Sequence, residues 1–400
     1  MDSLRKDIER FVTELVRIPS TPGQEQAAME YVYKQFSKMD ICVEKVALYD
    51  TIKQDPDYSS PIPDIKYDGR YNLRISKKGT RPGTKKLFNA HIDVVPPSEG
   101  MEEPWSGKVV DGVVYGRGAC DDKGPVTAIY AMMRMLESGG FDFAGEVVAH
   151  LVVEEENGGN GSLAMARTGE RGDCCIVLEP TDYRVLTSIR GAVWFKINFK
   201  GKAGHSGQAG QTKSALLMAV EAINILRKYH AGLLASSRGI ELFDKYENPM
   251  PITFGKLVSG NWPAAAPDKA QLEGVLGLLP NKTKEQVCAE MKAALISGSE
   301  MLTEDNFELT FTYRHDSSVT SPDCEFVRSL VKANTDCGLK VEIDGMTASC
   351  DAWFYNNQLG IPTVVYGPGT LKVAHSKDEC IKLEQITESA AVLHKFVQNY

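Results

Sequence analysis

The sequence lacks any apolar run of about 18 residues, the length that a helix needs to span a bilayer. It also lacks a basic excess: 45 lysines and arginines stand against 53 aspartates and glutamates, and the formal net charge at pH 7 is −8. Because binding to nucleic acid or to an anionic membrane requires basic surfaces, the composition disfavours both kinds of partner. We therefore expect a globular protein that binds neither.

Cysteine is present, but its pattern does not predict a disulfide framework. The nine cysteines are an odd number, and no C-x-x-C pair occurs. This pattern disfavours disulfides and a thiolate metal site, and it predicts buried thiols in a reducing compartment. Residues 1–16 alternate charged and apolar residues, which is typical of an amphipathic helix and not of a secretory signal peptide. The expected location is cytoplasmic.

The first half of the chain alternates strand and helix patterns. Apolar runs predict strands, and a 3.6-residue periodicity predicts a helix; the strands cover residues 87–95, 145–153 and 174–178, and the helix covers residues 123–138. This β-α-β order predicts a parallel or mixed sheet flanked by helices. In such sheets functional groups gather where strands end.

The pattern changes near residue 190. Strands are predicted over residues 192–199, 252–258, 270–278 and 307–312, and helices over 214–230 and 284–294. The order β-α-β-β-α-β is that of a ferredoxin-like unit. We therefore predict an inserted α+β domain over residues 190–316, with residues 1–189 and 317–400 forming the other domain. Residues 50–68, rich in proline, aspartate and tyrosine, predict a surface loop.

Histidine and acidic residues follow several of the apolar runs. His91 and Asp93 are two residues apart, so they lie on one face of a strand end, where an aspartate can fix the tautomer of a metal-binding histidine. A core histidine hydrogen-bonded to an aspartate explains the same pair, and taken alone it is the preferred interpretation. Asp121 and Asp122 lie among glycines before a helix, where helix capping accounts for one aspartate.

Three consecutive carboxylates, Glu154 to Glu156, follow a very apolar strand. They repel one another unless they are protonated, exposed or bound to a cation; the alternative is a solvated acidic turn. Glu179 and His375 each follow a further strand pattern. Together these segments supply histidine and carboxylate without cysteine, which suits Zn²⁺, Co²⁺ or Mn²⁺ in a hydrolytic site. One carboxylate can bridge two ions roughly 3.5–4 Å apart.

These residues occur in a recognisable order: H-x-D at 91–93, G-R-G-x-x-D-x-K-G at 116–124, the acidic triplet at 154–156, E-P at 179–180 and A-H-x-x-x-E at 374–379. In this order the sequence resembles the M20 metallopeptidases, which include acetylornithine deacetylase, succinyl-diaminopimelate desuccinylase, aminoacylase-1 and glutamate carboxypeptidase. The resemblance covers nearly the whole chain. It implies an α/β fold: a zinc-peptidase-like catalytic domain with a mixed central sheet flanked by helices, plus an inserted ferredoxin-like lid and dimerisation domain.

The resemblance also implies a site. The residues that it assigns as metal ligands are Asp121 as the bridge, His91 and Glu179 for one ion, and Glu156 and His375 for the other. Asp93 would orient His91, and Glu155 would be the general base. His205, in the inserted domain, would reach the active site of the partner subunit and stabilise the oxyanion.

The implied activity is hydrolysis of the amide bond of a small N-acyl amino acid, a non-peptide C–N bond, by a metal-bound hydroxide. The resemblance also implies two Zn²⁺ per subunit, with Co²⁺ or Mn²⁺ as alternatives, and a homodimer formed through residues 190–316. A dipeptidase or carboxypeptidase of the same family is the alternative activity. A catalytically silent binding homologue is the alternative of another class, and the intact Glu155 speaks against it.

Two departures from the family pattern concern the substrate. Gly277 and Trp353 stand where many members carry an arginine that binds a substrate carboxylate. Trp262 and Trp353 would offer flat apolar walls instead, or serve only in packing. Arg190, Arg314 and Lys256 remain as other sources of a cation. Asp122 stands where many members have methionine, and the spacing from Gly118 favours Asp121 as the bridge.

Overall fold

The computed structural model describes residues 2–62, 64–205, 207 and 210–400. Its α-helices are α1 (Asp2–Val16), α2 (Gln26–Phe36), α3 (Lys123–Ser138), α4 (Asn160–Arg167), α5 (Ala215–Ser236), α6 (Lys284–Gly298), α7 (Glu325–Asp336) and α8 (Leu383–Asn399). Its strands are β1 (Cys42–Ala47), β2 (Tyr71–Lys78), β3 (Arg81–His91), β4 (Lys108–Val110), β5 (Val113–Tyr115), β6 (Ala144–Val152), β7 (Cys174–Val177), β8 (Val185–Ile189), β9 (Gly191–Lys200), β10 (Gly204–His205), β11 (Ile252–Ser259), β12 (Ala265–Ala266), β13 (Lys269–Leu278), β14 (Phe307–His315), β15 (Ser318–Val319), β16 (Ile343–Met346), β17 (Thr363–Val365) and β18 (Cys380–Lys382).

The chain divides into two compact units. One comprises the chain up to Ser188 with Ser318–Asp344 and Cys350–Tyr400, and the other comprises Ile189–Ser317 with Gly345–Ser349. The sequence placed the boundaries at 189/190 and 316/317 and assigned residues 345–349 to the first domain. The structure groups that segment with the second unit, where the backbone N–H of Arg190 donates to the carbonyl of Met346 and its Nε donates to the carbonyl of Thr347.

The first unit contains a large mixed sheet with the order β1-β2-β6-β3-β7-β17-β8-β15, and β16 pairs with β8. The central pairs β6–β3, β3–β7 and β7–β17 are parallel, whereas β1–β2, β2–β6 and β17–β8 are antiparallel. The residues of β7 and the second halves of β3 and β6 are buried throughout, as expected for parallel strands covered on both faces. The predicted mixed sheet is confirmed.

Helices complete the core of this unit. Helix α3 packs against α1 and α8, and α7 packs against α8. The predicted helix over residues 123–138 coincides with α3. Its side chains Ile129, Met132 and Met133 are all fully buried. These side chains belong to one continuous hydrophobic cluster with the sheet residues Phe88 and Leu151.

The second unit has its own sheet and its own core. The antiparallel order is β11-β13-β9-β14, and the chain order β9-α5-β11-β13-α6-β14 is the predicted ferredoxin-like arrangement. Alternating residues of β9, among them Phe195 and Ile197, pack with Met218 of α5 and Met291 of α6 in a separate hydrophobic cluster. The predicted fold class is confirmed for both units.

Two expectations about exposure need correction. Residues 50–68 are not simply a surface loop, because Asp50–Gln54 form a 3₁₀ helix and Tyr67 is fully buried. The cysteines are free thiols, but Cys42 and Cys337 are exposed, so the prediction of buried thiols is wrong for these two.

None of the described helices combines the length and the hydropathy that a bilayer crossing requires.

Candidate metal centre

Three neighbouring parallel strands bring distant acidic and histidine residues to one edge of the sheet. β3 lies between β6 and β7, with His91 opposite Val152 and Asn89 opposite Val177. The turn with the acidic triplet follows β6, and Glu179 follows β7. Because the carboxyl ends of parallel strands meet at the same edge, these side chains converge although up to 88 residues separate them in sequence.

The loop before α3 brings Asp121 to the same edge. Gly118 has a φ of +82°, and a Cβ atom there would clash with the side chain of Val94, so glycine is required. The buried Glu379 holds this loop: its Oε1 accepts the N–H groups of Cys120 and Asp121 at 3.1 and 3.0 Å, and its Oε2 accepts from Arg117. Glu379 is the last residue of the A-H-x-x-x-E motif, to which sequence reasoning gave no role.

Two groups of side chains each present ligand atoms within 4.8 Å of one another, and Asp121 belongs to both. The first group is His91, Asp121, Asp122 and Glu179, and the second is Asp121, Glu156 and His375. Nε2 of His91 lies 3.1 Å from Oδ1 of Asp121, whereas Nε2 of His375 lies 3.3 Å from Oδ2. The two oxygens of one carboxylate thus face different imidazoles, which is the arrangement that a bridging ligand requires.

Asp122 is the member of these groups that sequence reasoning left out. Its Oδ2 accepts the backbone N–H of His91 at 3.0 Å, while its Oδ1 is buried and has no hydrogen-bond partner among the described residues. Burial raises the pKa of Asp122 well above its usual range. Spacing arguments distinguished Asp121 from Asp122, but they contained no signal that both approach the same imidazole.

The carboxylate of Asp93 has a different contact from the one expected. Nδ1 of His91 lies 2.9 Å from the backbone carbonyl oxygen of Asp93 and 3.6 Å from the nearer carboxylate oxygen. The carboxylate instead accepts the N–H groups of Glu155 and Glu156, at 3.1 and 3.0 Å. Asp93 therefore contacts His91 through its backbone and holds the acidic turn with its side chain.

Four carboxylates and two imidazoles make up the two ligand groups, so acidic side chains outnumber histidines. Burial, and then the neighbouring Asp121, raise the pKa of Glu156 and Glu179. Hydrogen bonds with Asp121 and Glu156 raise the pKa of His375 to about 10. Carboxylates and imidazoles that compete for protons in this way suit divalent cations, and a nitrogen and oxygen donor set without thiolate fits Zn²⁺, Co²⁺ or Mn²⁺.

Glu155 belongs to neither ligand group. It is half-buried, and burial raises its pKa well above the usual value for a glutamate. A raised pKa makes a carboxylate easier to protonate and, when it is ionised, a stronger proton acceptor.

The residues considered for substrate recognition belong to neither ligand group. His205 is an exposed residue of β10 in the second unit, and its Nδ1 accepts the N–H of Gly207 at 3.1 Å. Trp353 is buried, whereas Trp262 is 68% exposed. In the second unit a Cβ atom on Gly277 would clash with Nη1 of Arg190. The space that a side chain at 277 would occupy is therefore taken by a guanidinium.

Comparisons with known proteins agree with this architecture. Residues 87–399 match the family described as Peptidase family M20/M25/M40. The chain is 23% identical to N-formyl-4-amino-5-aminomethyl-2-methylpyrimidine deformylase of Bacillus subtilis, over 99% of this chain and 96% of that protein. It is 26% identical to succinyl-diaminopimelate desuccinylase of Methylobacterium radiotolerans, over 98% of this chain and 96% of that protein.

A solved structure with the same fold is that of the dipeptidase Dug1p from Saccharomyces cerevisiae. Its TM-score is 0.77 at 15% sequence identity, and the alignment covers 99% of this chain and 96% of that chain. At this identity the likeness concerns the fold. The family match over residues 87–399, which includes every residue of both ligand groups, shows that this chain belongs to peptidase family M20/M25/M40.

Proposed function

We propose that the chain is a dinuclear metal-dependent amidohydrolase that cleaves the amide bond of a small N-acyl amino acid. The observation that carries the proposal is the position of Asp121, one carboxylate shared by two groups of ligand atoms. The names of the two full-length relatives support the substrate class, because a desuccinylase and a deformylase both remove an acyl group from nitrogen.

In this proposal the two ligand groups, which share Asp121, would hold two divalent cations. The cations would lower the pKa of a water molecule and polarise the substrate carbonyl. Asp93 and Glu379 keep the ligand-bearing loops in place through their hydrogen bonds to backbone N–H groups. The tautomer of His91 is set by its contact with the carbonyl oxygen of Asp93.

Glu155 moves the proton. It accepts a proton from the attacking water as the new C–O bond forms at the carbonyl carbon, and it delivers that proton to the amide nitrogen as the C–N bond breaks. The products are a carboxylate and a free amine. One carboxylate serves both steps because it is not used as a ligand by either group.

The main alternative is a dipeptidase, which is the activity of the structural neighbour from yeast. An assay of the metal-reconstituted protein against N-formyl, N-acetyl and N-succinyl amino acids, beside dipeptides with the same side chains, separates the two. We expect higher kcat/KM for the acylated amino acids. Faster cleavage of dipeptides would contradict the substrate class, and no hydrolysis of either series would favour the silent binding homologue.

Replacing Glu155 with glutamine should lower kcat by roughly 100- to 10,000-fold, because the amide cannot carry the proton. Metal content, measured by elemental analysis, should stay unchanged, since Glu155 is outside both ligand groups. Retained turnover in this variant would contradict the assignment of the base.

Metal binding near pH 7 should release at least one proton per subunit. With a pKa of about 10, His375 is protonated in the metal-free protein, whereas a metal ligand must be neutral imidazole. Metal affinity should therefore rise as the pH increases from 6 to 9. Calorimetric Zn²⁺ titration in buffers of different ionisation enthalpy measures the release, and heats that do not depend on the buffer would contradict it.

We further propose that the second unit forms a homodimer and that His205 stabilises the oxyanion in the partner subunit's site. In mixing experiments, His205→Ala subunits combined with Glu155→Gln subunits should then recover activity, because mixed dimers contain one intact site. Light scattering at micromolar concentration should find a dimer. A monomer with full activity would contradict both proposals.

A further inference from the structure

A buried cluster of charged and polar side chains surrounds Glu154, the first residue of the acidic triplet. Glu154 is fully buried, although it belongs to neither ligand group. Its φ of 65° is in the left-handed region, which is unfavourable for a residue other than glycine. A buried charge on a strained backbone needs specific contacts to hold it.

Those contacts come from three donors. Nη1 of Arg70 donates to Oε1 of Glu154, while the hydroxyl of Tyr67 and Nδ2 of Asn160 donate to Oε2 at 2.7 and 2.9 Å. The carbonyl oxygen of Glu154 accepts the N–H of Gly159 at 2.6 Å. The side chain and the carbonyl oxygen of this one residue are therefore both fixed.

Arg70 is itself held by a second carboxylate. Its Nη2 donates to Oε1 of Glu25 at 2.7 Å, and Arg70 and Glu25 are both buried. An ion cluster of this kind is not the cheapest way to fill a core, because apolar side chains of the same volume avoid the cost of desolvation. Its hydrogen bonds instead fix the direction in which each of these charged side chains points.

The turn is held from its other side by Asp93. The carboxylate of Asp93 accepts the N–H groups of Glu155 and Glu156, the two residues that follow Glu154. Since the side chain before them and the N–H groups within them are fixed, the directions in which Glu155 and Glu156 leave the backbone are also fixed.

We propose that Glu154 is a positioning residue, which Arg70, Tyr67 and Asn160 hold in place so that Glu156 meets the metal and Glu155 meets the reacting atoms. This inference rests on the proposed roles of Glu155 and Glu156. Within the acidic triplet it assigns Glu154 as a buried anchor and Glu155 and Glu156 as the carboxylates that take part in catalysis and metal binding. The anchor touches neither the metal nor the substrate.

The test is a Co²⁺ titration followed by visible absorption, with no substrate present. Glu154→Gln keeps the shape of the side chain. It replaces one carboxylate oxygen, which accepts hydrogen bonds in the wild-type protein, with an NH₂ group that faces the same donors. We expect affinity for one of the two Co²⁺ ions to fall roughly 10- to 100-fold, as for other residues that orient metal ligands. At saturating Co²⁺, kcat for the best substrate of the acyl series should fall while KM stays within about twofold.

Tyr67→Phe removes a single hydrogen bond and leaves the ion pairs, so it tests the same idea if Glu154→Gln does not fold. It should shift Co²⁺ affinity and kcat in the same direction by a smaller factor. The matched control is Glu170→Gln, which weakens a carboxylate held by Arg74, Lys85 and His150, apart from the ligand groups. This control should leave Co²⁺ binding and kcat unchanged.

Wild-type Co²⁺ affinity and kcat in both Glu154→Gln and Tyr67→Phe would overturn the proposal. Equal losses in Glu170→Gln would overturn it too, because they would show general destabilisation. Failure of the proposed function is a separate outcome. Turnover retained in Glu155→Gln would contradict Glu155 as the base, whereas the Co²⁺ affinities of Glu154→Gln and Tyr67→Phe would still test the positioning of Glu156.

Discussion

The crowding of carboxylates at one edge of the sheet is the constraint on which the site depends. Asp121 lies between two imidazoles, and burial together with that carboxylate raises the pKa of Glu156 and Glu179. Buried groups of like charge are costly unless protons or cations compensate them. In the proposed function a pair of divalent cations would supply that compensation and would also activate the attacking water, so the stability of the site and its activity would have one electrostatic origin.

The sheet makes this crowding possible because its neighbouring parallel strands end at the same edge. Adjacent strands lie about 4.8 Å apart, and the ligand atoms of each group lie within 4.8 Å of one another. The loops that follow the strands are held by carboxylates that are not ligands: Asp93 holds the turn after β6, and Glu379 holds the loop before α3. Backbone N–H groups are the points of attachment in both cases, so these loops are fixed without using ligand atoms.

Local patterns in the sequence predicted much of this architecture, and long-range contacts account for what they missed. The 3.6-residue periodicity located α3, and the order of strands and helices identified the ferredoxin-like unit, since both depend on neighbouring residues. The ligand groups followed from a family resemblance, not from periodicity. The contact of Tyr67 with Glu154 spans 87 residues, and no pattern within either segment indicates it. The same holds for the Asp93 carboxylate, which was expected to contact His91 and instead accepts the N–H groups of Glu155 and Glu156.

Gly277 shows why a missing residue is a weak sign of a missing function. In the sequence alone, a glycine where many family members carry an arginine indicates the loss of a cation that binds a substrate carboxylate. In the structure the guanidinium of Arg190 occupies the adjacent space, and a side chain at 277 would displace it. Burial lowers the pKa of Arg190 to about 10, and its Nη1 has no hydrogen-bond partner among the described residues. The glycine therefore leaves room for a buried guanidinium, so its presence at this position does not mean that positive charge is absent from this part of the second unit.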